Sequence, residues 1–143
     1  MKFIGLLLCA LSIPSFAATK SFDIKTELAI DGKTIASPRM IVAPNEAAKI
    51  NQQDDHQNMA AVEVIATDCT ACSDKNEIMM NFKVSYTAKG KAAITSTPKI
   101  SARTGETAMI YIGKDGNVTA TTTAQANVPN DGLMMEVTAT RNQ

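Results

Sequence analysis

The chain has 143 residues, of which 14 are Lys or Arg and 14 are Asp or Glu, so its formal net charge at neutral pH is zero. Binding to nucleic acids and to anionic membrane surfaces depends on clustered positive charge, and we therefore expect neither as a partner. Hydrophobic residues make up 45% of the chain but aromatic residues only 4%. This composition predicts a core of Ala, Val, Ile and Met.

The first 17 residues have the three regions of a secretory signal peptide. Lys2 provides the positive start, residues 3–13 are apolar but too short to span a bilayer, and Ser15-Phe16-Ala17 is a small-x-small cleavage site. A lipoprotein signal needs a small residue before its cysteine, whereas Leu8 precedes Cys9. We expect cleavage after Ala17 and export to the periplasm or onward to the extracellular medium, without membrane insertion of the mature chain.

Residues 37–50 return as residues 97–110 without a gap, and Pro, Glu, Ala and Ile recur at the same places. After the proline, apolar and polar residues alternate in both copies, which is typical of a half-buried strand. Asn45 and Gly105 then occupy the same turn position, and both residue types accept a positive φ. Each copy therefore predicts two strands joined by a tight turn.

The repeat extends on both sides of this hairpin. Upstream, Phe22 and Phe82 are sixty residues apart and each belongs to an alternating apolar pattern. Downstream, residues 60–67 match residues 133–140, and the second copy has an insertion at residues 113–132. One four-stranded unit would bury too little apolar surface to fold alone.

We therefore predict an all-β protein of two duplicated four-stranded units, packed as one β-sandwich in preference to two tandem domains. The predicted organisation is a signal peptide at 1–17, a first β unit at 18–68, a cysteine-containing linker at 69–77 and a second β unit at 78–143.

The polar connection at residues 51–58 contains the only histidine, His56, beside Asp54 and Asp55. Imidazole and carboxylate groups are metal ligands, but one histidine on a polar loop lacks the preorganised ligand set of a dedicated site. We interpret this segment as a solvated loop.

Cys69 and Cys72 are the two cysteines that remain after signal-peptide cleavage. An oxidising destination and an even number favour a structural disulfide, worth about 2 kcal/mol by the loop-entropy relation. A thiol–disulfide oxidoreductase would need the first cysteine at a helix N-terminus, and no amphipathic helix follows Cys72. A metal site is the third interpretation.

The insertion at residues 113–132 is rich in Thr, Ala and Asn and contains two turn signals. The residues between these turns form either an edge strand or a loop. A loop added to a β scaffold is a candidate contact surface, although a solvated edge is an equally good interpretation. The candidate binding residues are Asn117, Thr119, Thr121, Asn127 and Asn130.

The sequence has no nucleophile elbow, no paired-histidine motif and no glycine-rich phosphate loop, so we expect neither an enzyme nor a cofactor. The eight methionines allow one alternative. Thioether and thiolate ligands select Cu(I), and Cys69, Cys72 and His56 with nearby methionines would form such a site. The other interpretation is that the methionines fill a core that is poor in aromatic residues.

The second copy of the repeat resembles the opening β-hairpin of the secretin domain of outer-membrane secretion and pilus channels. The resemblance lies in Thr97-Pro98-Lys99-Ile100, in residues 105–113 and in the following residues 132–138. The first copy departs from the pattern, with Asn45 in place of the glycine. The resemblance implies a shared β unit or an envelope context, not pore formation.

Together these observations predict a non-enzymatic exported β-sandwich protein that binds another protein. Strand addition at a sheet edge is the natural binding mode for such a fold. An accessory role in the envelope or in secretion fits the resemblance, and periplasmic Cu(I) binding is the alternative function.

Overall fold

The computed structural model describes residues 20–122 and 131–142. Within these ranges the chain consists of strands and connections, without a helix. The predicted signal peptide lies outside the described residues. The strands are β1 (Ser21–Ile30), β2 (Lys33–Ala36), β3 (Arg39–Val42), β4 (Ala47–Gln53), β5 (Met59–Asp68), β6 (Glu77–Thr87), β7 (Ile94–Ser96), β8 (Lys99–Arg103), β9 (Thr107–Ile112), β10 (Val118–Thr121) and β11 (Leu133–Asn142).

The strands form two antiparallel sheets. Sheet A has the order β10-β9-β11-β1-β2, and β3 also pairs with β1 beside β2. Sheet B has the order β4-β5-β6-β7, and β8 also pairs with β6 beside β7. The prediction of an all-β sandwich is confirmed.

The core lies between the two sheets, because alternate residues of each central strand point to the same face. In β5, Val62 and Val64 are at most 2% exposed, and in β11 Met135 and Val137 are fully buried. The buried side chains of both sheets belong to one apolar cluster. Alternation along the strands therefore produces one shared core.

The sandwich is not assembled by stacking one repeat unit on the other. Each unit crosses from one sheet to the other at its tight turn, so β1–β3 lie in sheet A while β4 and β5 lie in sheet B. The second unit crosses in the opposite direction. Consequently the two sheets have equivalent strand orders. The order β4-β5-β6-β8 of sheet B corresponds, strand by strand, to β9-β11-β1-β3 of sheet A.

The two crossing turns have the same geometry. Asn45 has φ of 65° and Gly105 has φ of 81°, as the residue types predicted. The Asn45 N–H donates to the Ala66 carbonyl at 3.0 Å, and the Gly105 N–H donates to the Ala139 carbonyl at 2.8 Å. Each turn is thereby attached to the last strand of its own unit.

The spacing of sixty residues does not extend to the first strands. The Pro38 carbonyl accepts the Thr26 N–H at 2.9 Å, and the Pro98 carbonyl accepts the Phe82 N–H at 2.9 Å. Thr26 is therefore the counterpart of Phe82, and the predicted match of Phe22 with Phe82 is wrong. The connection between β6 and β7 is longer than the β1–β2 turn and accounts for the difference. The first strands are therefore offset by 56 residues instead of sixty. Because this shift of four residues is even, the alternating pattern did not reveal it.

Thr26 introduces a hydroxyl group at a core position that its counterpart fills with Phe82. The residue is 4% exposed, and its Oγ1 has no hydrogen-bond partner among the described residues. An unpaired buried hydroxyl costs free energy because it loses its hydrogen bond to water.

We expect Thr26→Val to raise the free energy of unfolding by about 1 kcal/mol, because valine keeps the shape and removes the unpaired hydroxyl. Urea unfolding followed by circular dichroism measures the change. Thr26→Ser is the matched control, since it keeps the hydroxyl and loses a methyl group, and we expect it to be less stable than the wild type. A Val variant less stable than the wild type would contradict the interpretation.

An ion pair connects β3 to β1 on the outer face of sheet A. Arg39 Nε and Nη2 donate to the two carboxylate oxygens of Asp23 at 2.8 and 2.5 Å. The Asp23 side chain is 11% exposed and that of Arg39 is 61% exposed. The hydrogen bonds from Arg39 lower the pKa of Asp23 below its ordinary value of 3.8, although burial acts in the opposite direction.

Since the pKa of Asp23 is lower in the folded than in the unfolded chain, the pair stabilises the fold above about pH 3.8. This stabilisation is lost as the pH falls through the folded-state pKa. We expect Arg39→Met to be less stable than the wild type at pH 7, with a difference that shrinks below pH 3.8. Urea unfolding from pH 7 to pH 2 tests this, with Lys99→Met as the control, because Lys99 is the repeat counterpart of Arg39 on β8 and lies opposite the uncharged Asn81. Parallel pH profiles for Arg39→Met and the wild type would refute the assignment.

Candidate functional site

The two sheets differ at one edge. Strand β9 pairs with β11 on one side and with β10 on the other. Its counterpart β4 pairs with β5, and within residues 20–122 and 131–142 no strand covers its other side. The covering strand β10 comes from the insertion, which the first unit lacks. The internal repeat therefore leaves β4 as an open edge strand.

The direction of the free backbone groups of β4 follows from its pairing with β5. The Asp54 N–H donates to the Asn58 carbonyl at 3.0 Å. Because N–H and C=O groups alternate in direction along an antiparallel strand, the even-numbered residues of β4 pair with β5. The backbone groups of Lys49, Asn51 and Gln53 consequently face the open edge.

The covered edge gives the same assignment. The Gly113 N–H donates to the Asn117 carbonyl at 2.9 Å, on the side of β9 where β10 lies. Gly113 is the repeat counterpart of Gln53. The open edge of β4 thus presents the same row of donors and acceptors that β9 uses to bind β10.

The inward side chains of β4 are less completely buried than those of β9. Ile50 is 9% exposed, whereas its counterpart Ile110 is fully buried. Ala48 is half-buried, whereas Ala108 is fully buried. Because the compared residues occupy equivalent positions in the repeat, we attribute the greater exposure of Ala48 and Ile50 to the absence of a neighbouring strand beside β4.

The same difference appears across the sandwich from β4. Met40 in β3 is half-buried, whereas its counterpart Ile100 in β8 is 8% exposed. Strands β3 and β4 lie close to one another across the sandwich. We call their inward apolar residues Met40, Ala48 and Ile50 the β3–β4 seam. Met40 and Ala48 pack against the common core without being enclosed by it.

The outer face of β4 is polar. Lys49 Nζ lies 3.3 Å from Glu63 Oε2 on β5, with Lys49 71% exposed. A shallow depression of about 140 Å³ beside this pair is lined by Asn51, Lys83 and Ser85. Lys49 is the one charged side chain of β4, and the register with β5 is continuous over residues 47–53. Edge strands are usually protected by proline, bulges or several charges, and β4 has few of these features.

Three of the five predicted binding residues lie in or next to β10, at the covered edge. Thr119 and Thr121 lie in β10, opposite Tyr111 and Met109 of β9. Asn117 lies in the preceding turn, where its side chain donates to Asp115 Oδ2 at 2.5 Å. The other two predicted residues, Asn127 and Asn130, lie outside the described residues.

The return of the insertion into β11 is fixed by close backbone contacts. Gly132 has φ of 94°, and a Cβ atom there would collide with the Ile112 carbonyl oxygen. The Tyr111 hydroxyl donates to the Asp131 carbonyl at 2.5 Å. Burial, together with the hydrogen bond to Asp131, raises the pKa of Tyr111 to about 12. These contacts indicate that the described ends of the insertion are part of the sandwich.

The sequence predicts β4 as the returning strand of the first hairpin, but its ordinary residue types do not mark it as an open edge. A signal was nevertheless present. The repeat aligns β4 with β9, and only the second unit has inserted residues after that strand. An insertion that adds one strand to a repeated sheet leaves the counterpart edge uncovered.

The structure does not bring His56 to the cysteines. His56 lies in the β4–β5 connection, and the cysteines follow the far end of β5. A ten-residue strand is about 30 Å long, so the ligand set of the Cu(I) hypothesis is separated by the length of the sandwich. Near His56, Asp54 Oδ1 accepts backbone N–H groups from His56 at 2.9 Å and from Asn58 at 2.8 Å. Burial raises the pKa of Asp54, but these hydrogen bonds outweigh it and the pKa lies below its ordinary value.

Two of the methionines considered for that site are core residues. Met80 and Met135 are fully buried, whereas Met59 is 51% exposed at the start of β5. Burial of Met80 and Met135 agrees with the packing interpretation of these side chains.

Cys69 and Cys72 form a disulfide, as predicted. Their Cα atoms are 5.4 Å apart, and the Cys69 N–H donates to the Glu77 carbonyl at 3.1 Å. The two sulfur atoms and a Glu77 carboxylate oxygen lie within 4.8 Å of one another. A bonded disulfide offers no thiolate, so this group would require reduction before it could hold a metal ion.

We expect the Cys69→Ser, Cys72→Ser double variant to remain folded and to lose at most about 2 kcal/mol of unfolding free energy, because the disulfide closes a very short loop. Urea unfolding measures the loss, and reduction of the wild-type protein should reproduce it. An unfolded double variant would show that the disulfide does more than connect β5 to β6.

Among the described residues, no helix has the length and apolar character needed to cross a membrane. Comparison with family models, with curated proteins and with solved structures gave no match to this chain.

Proposed function

We propose that this chain is a non-enzymatic exported protein that binds another protein by strand addition at the open edge of β4. The observation that carries the proposal is the contrast between β4 and β9. The two strands occupy the same position in the repeat, but β9 is paired on both sides and β4, among the described strands, on one side only. Unpaired backbone groups and a half-covered apolar strip occur together at β4.

Strand addition fits the chemistry of this edge. The backbone groups of residues 49, 51 and 53 supply a row of hydrogen bonds whose strength does not depend on the partner's side chains. The β3–β4 seam supplies apolar surface that the added strand would bury. Backbone pairing provides affinity, and the side chains that enter the seam provide specificity.

The signal-peptide pattern and the resemblance to the secretin domain support an envelope setting. A partner in the periplasm, or in a secretion assembly of the outer membrane, agrees with both. The proposal assigns no catalytic role to any residue and requires no cofactor.

Asn51→Pro tests the proposal. Proline removes the Asn51 N–H, which faces away from β5, so the pairing of β4 with β5 remains. We expect this variant to fold normally, and we expect the amount of crosslinked partner recovered with it to fall at least ten-fold. The protein would be expressed with a tag in its native host, crosslinked and recovered from periplasm and medium for mass spectrometry.

Asn51→Ala is the matched control, because it removes the same side chain and keeps the N–H group. We expect it to capture the partner as the wild type does. Circular dichroism and thermal unfolding establish that both variants are folded. Equal capture by folded Asn51→Pro and Asn51→Ala would refute binding at this edge.

A further inference from the structure

We infer that the segment bound at β4 is a short antiparallel strand of the same kind as β10, lying opposite residues 49–52. Its inward side chains are small and apolar, and its side chain opposite Lys49 is uncharged or acidic. This inference rests on the proposed function and specifies the register and chemistry of the partner segment.

The register follows from the internal repeat. On the covered edge, Ile112 lies opposite Val118 and Met109 lies opposite Thr121. The repeat counterparts of Ile112 and Met109 are Gln52 and Lys49. A strand that occupies the open edge in the same way therefore pairs with residues 49–52 and runs antiparallel to β4.

The inward positions of the added strand face the seam. Ala120 lies opposite Ile110 on the covered edge, and β10 also lies close to β8 across the sandwich. The counterparts of Ile110 and β8 are Ile50 and β3. A residue opposite Ile50 would thus meet the seam between β4 and β3, where Met40 is half-buried. The equivalent place beside Ile110 holds Ala120, which is itself exposed, so this position accepts a small apolar side chain without enclosing it.

The outward positions are set by charge. Lys49 is already paired with Glu63 on its β5 side. A hydroxyl or carboxylate directly opposite Lys49 is compatible with its charge, whereas a Lys or Arg there would place like charges in contact across the strands. The partner segment is therefore uncharged or acidic at this position.

The chain itself supplies the probe. A synthetic peptide of residues 116–122 with Thr121→Cys carries its thiol as a mixed disulfide with thionitrobenzoate. It is mixed with the full mature protein that carries Lys49→Cys. The protein thiolate attacks the peptide sulfur, the new disulfide forms, and thionitrobenzoate leaves and is measured by its absorbance. Opposed residues in a hydrogen-bonded antiparallel pair have Cα atoms about 5.5 Å apart, which a disulfide spans.

Met109→Cys is the matched control, because it occupies the same repeat position on the edge that β10 already covers. Rates are divided by the reactivity of each protein thiol toward a small disulfide. We expect Lys49→Cys to react with the peptide at least ten-fold faster than Met109→Cys. A second peptide with Ala120→Cys carries its thiol on the inward side and should not react faster with Lys49→Cys than with Met109→Cys. Adding Asn51→Pro to Lys49→Cys should likewise remove the faster reaction with the first peptide.

Equal normalised rates for Lys49→Cys and Met109→Cys would overturn the inference. Sedimentation of the wild-type protein as a dimer that Asn51→Pro dissociates would also overturn it, because a second copy would then occupy the edge. If partner capture depends on Asn51 while the peptide shows no preference, the proposed function stands and the inferred strand chemistry is wrong. If Asn51→Pro leaves capture intact, the proposed function itself fails.

Discussion

The pairing of the first strand of one unit with the last strand of the other is the constraint on which this structure depends. In sheet A, β1 pairs with β11 from Ser21 opposite Asn142 to Ile30 opposite Leu133. In sheet B, β5 pairs with β6 in the same manner. Each sheet therefore contains strands from both units, and neither unit forms a complete sheet by itself. The two units must fold together, because separating them would expose both halves of the shared core.

An interlocked duplication also explains where an open edge arises. Two equal units would give two equal edges, and the insertion in the second unit covers one of them with β10. Among the described residues, β4 is then left as a terminal strand of its sheet, whereas its counterpart β9 is paired on both sides. An open edge carries a risk of self-association. Lys49 is the one charge of β4 that opposes such self-association.

Several elements were predictable from local chemistry. The positive φ at Asn45 and Gly105, the strand starts after Pro38 and Pro98, and the disulfide all follow from short segments whose residues restrict the backbone directly. The candidate site was not predicted. The sequence directed attention to the insertion as a contact surface, whereas its described part covers an edge and leaves the site on the counterpart strand.

The sequence by itself determined that this protein is built from repeated β-strands, because alternation, turn residues and internal similarity are local properties. Only the tertiary structure decided which strands are neighbours. Alternation is unchanged by a shift of four residues. The equivalence of Thr26 and Phe82 in the repeat is therefore visible only from backbone hydrogen bonds between separate strands. The exchange of strands between sheets and the open edge of β4 are likewise long-range pairings. A strand's residues specify which face it buries, but its partner is selected by the whole core.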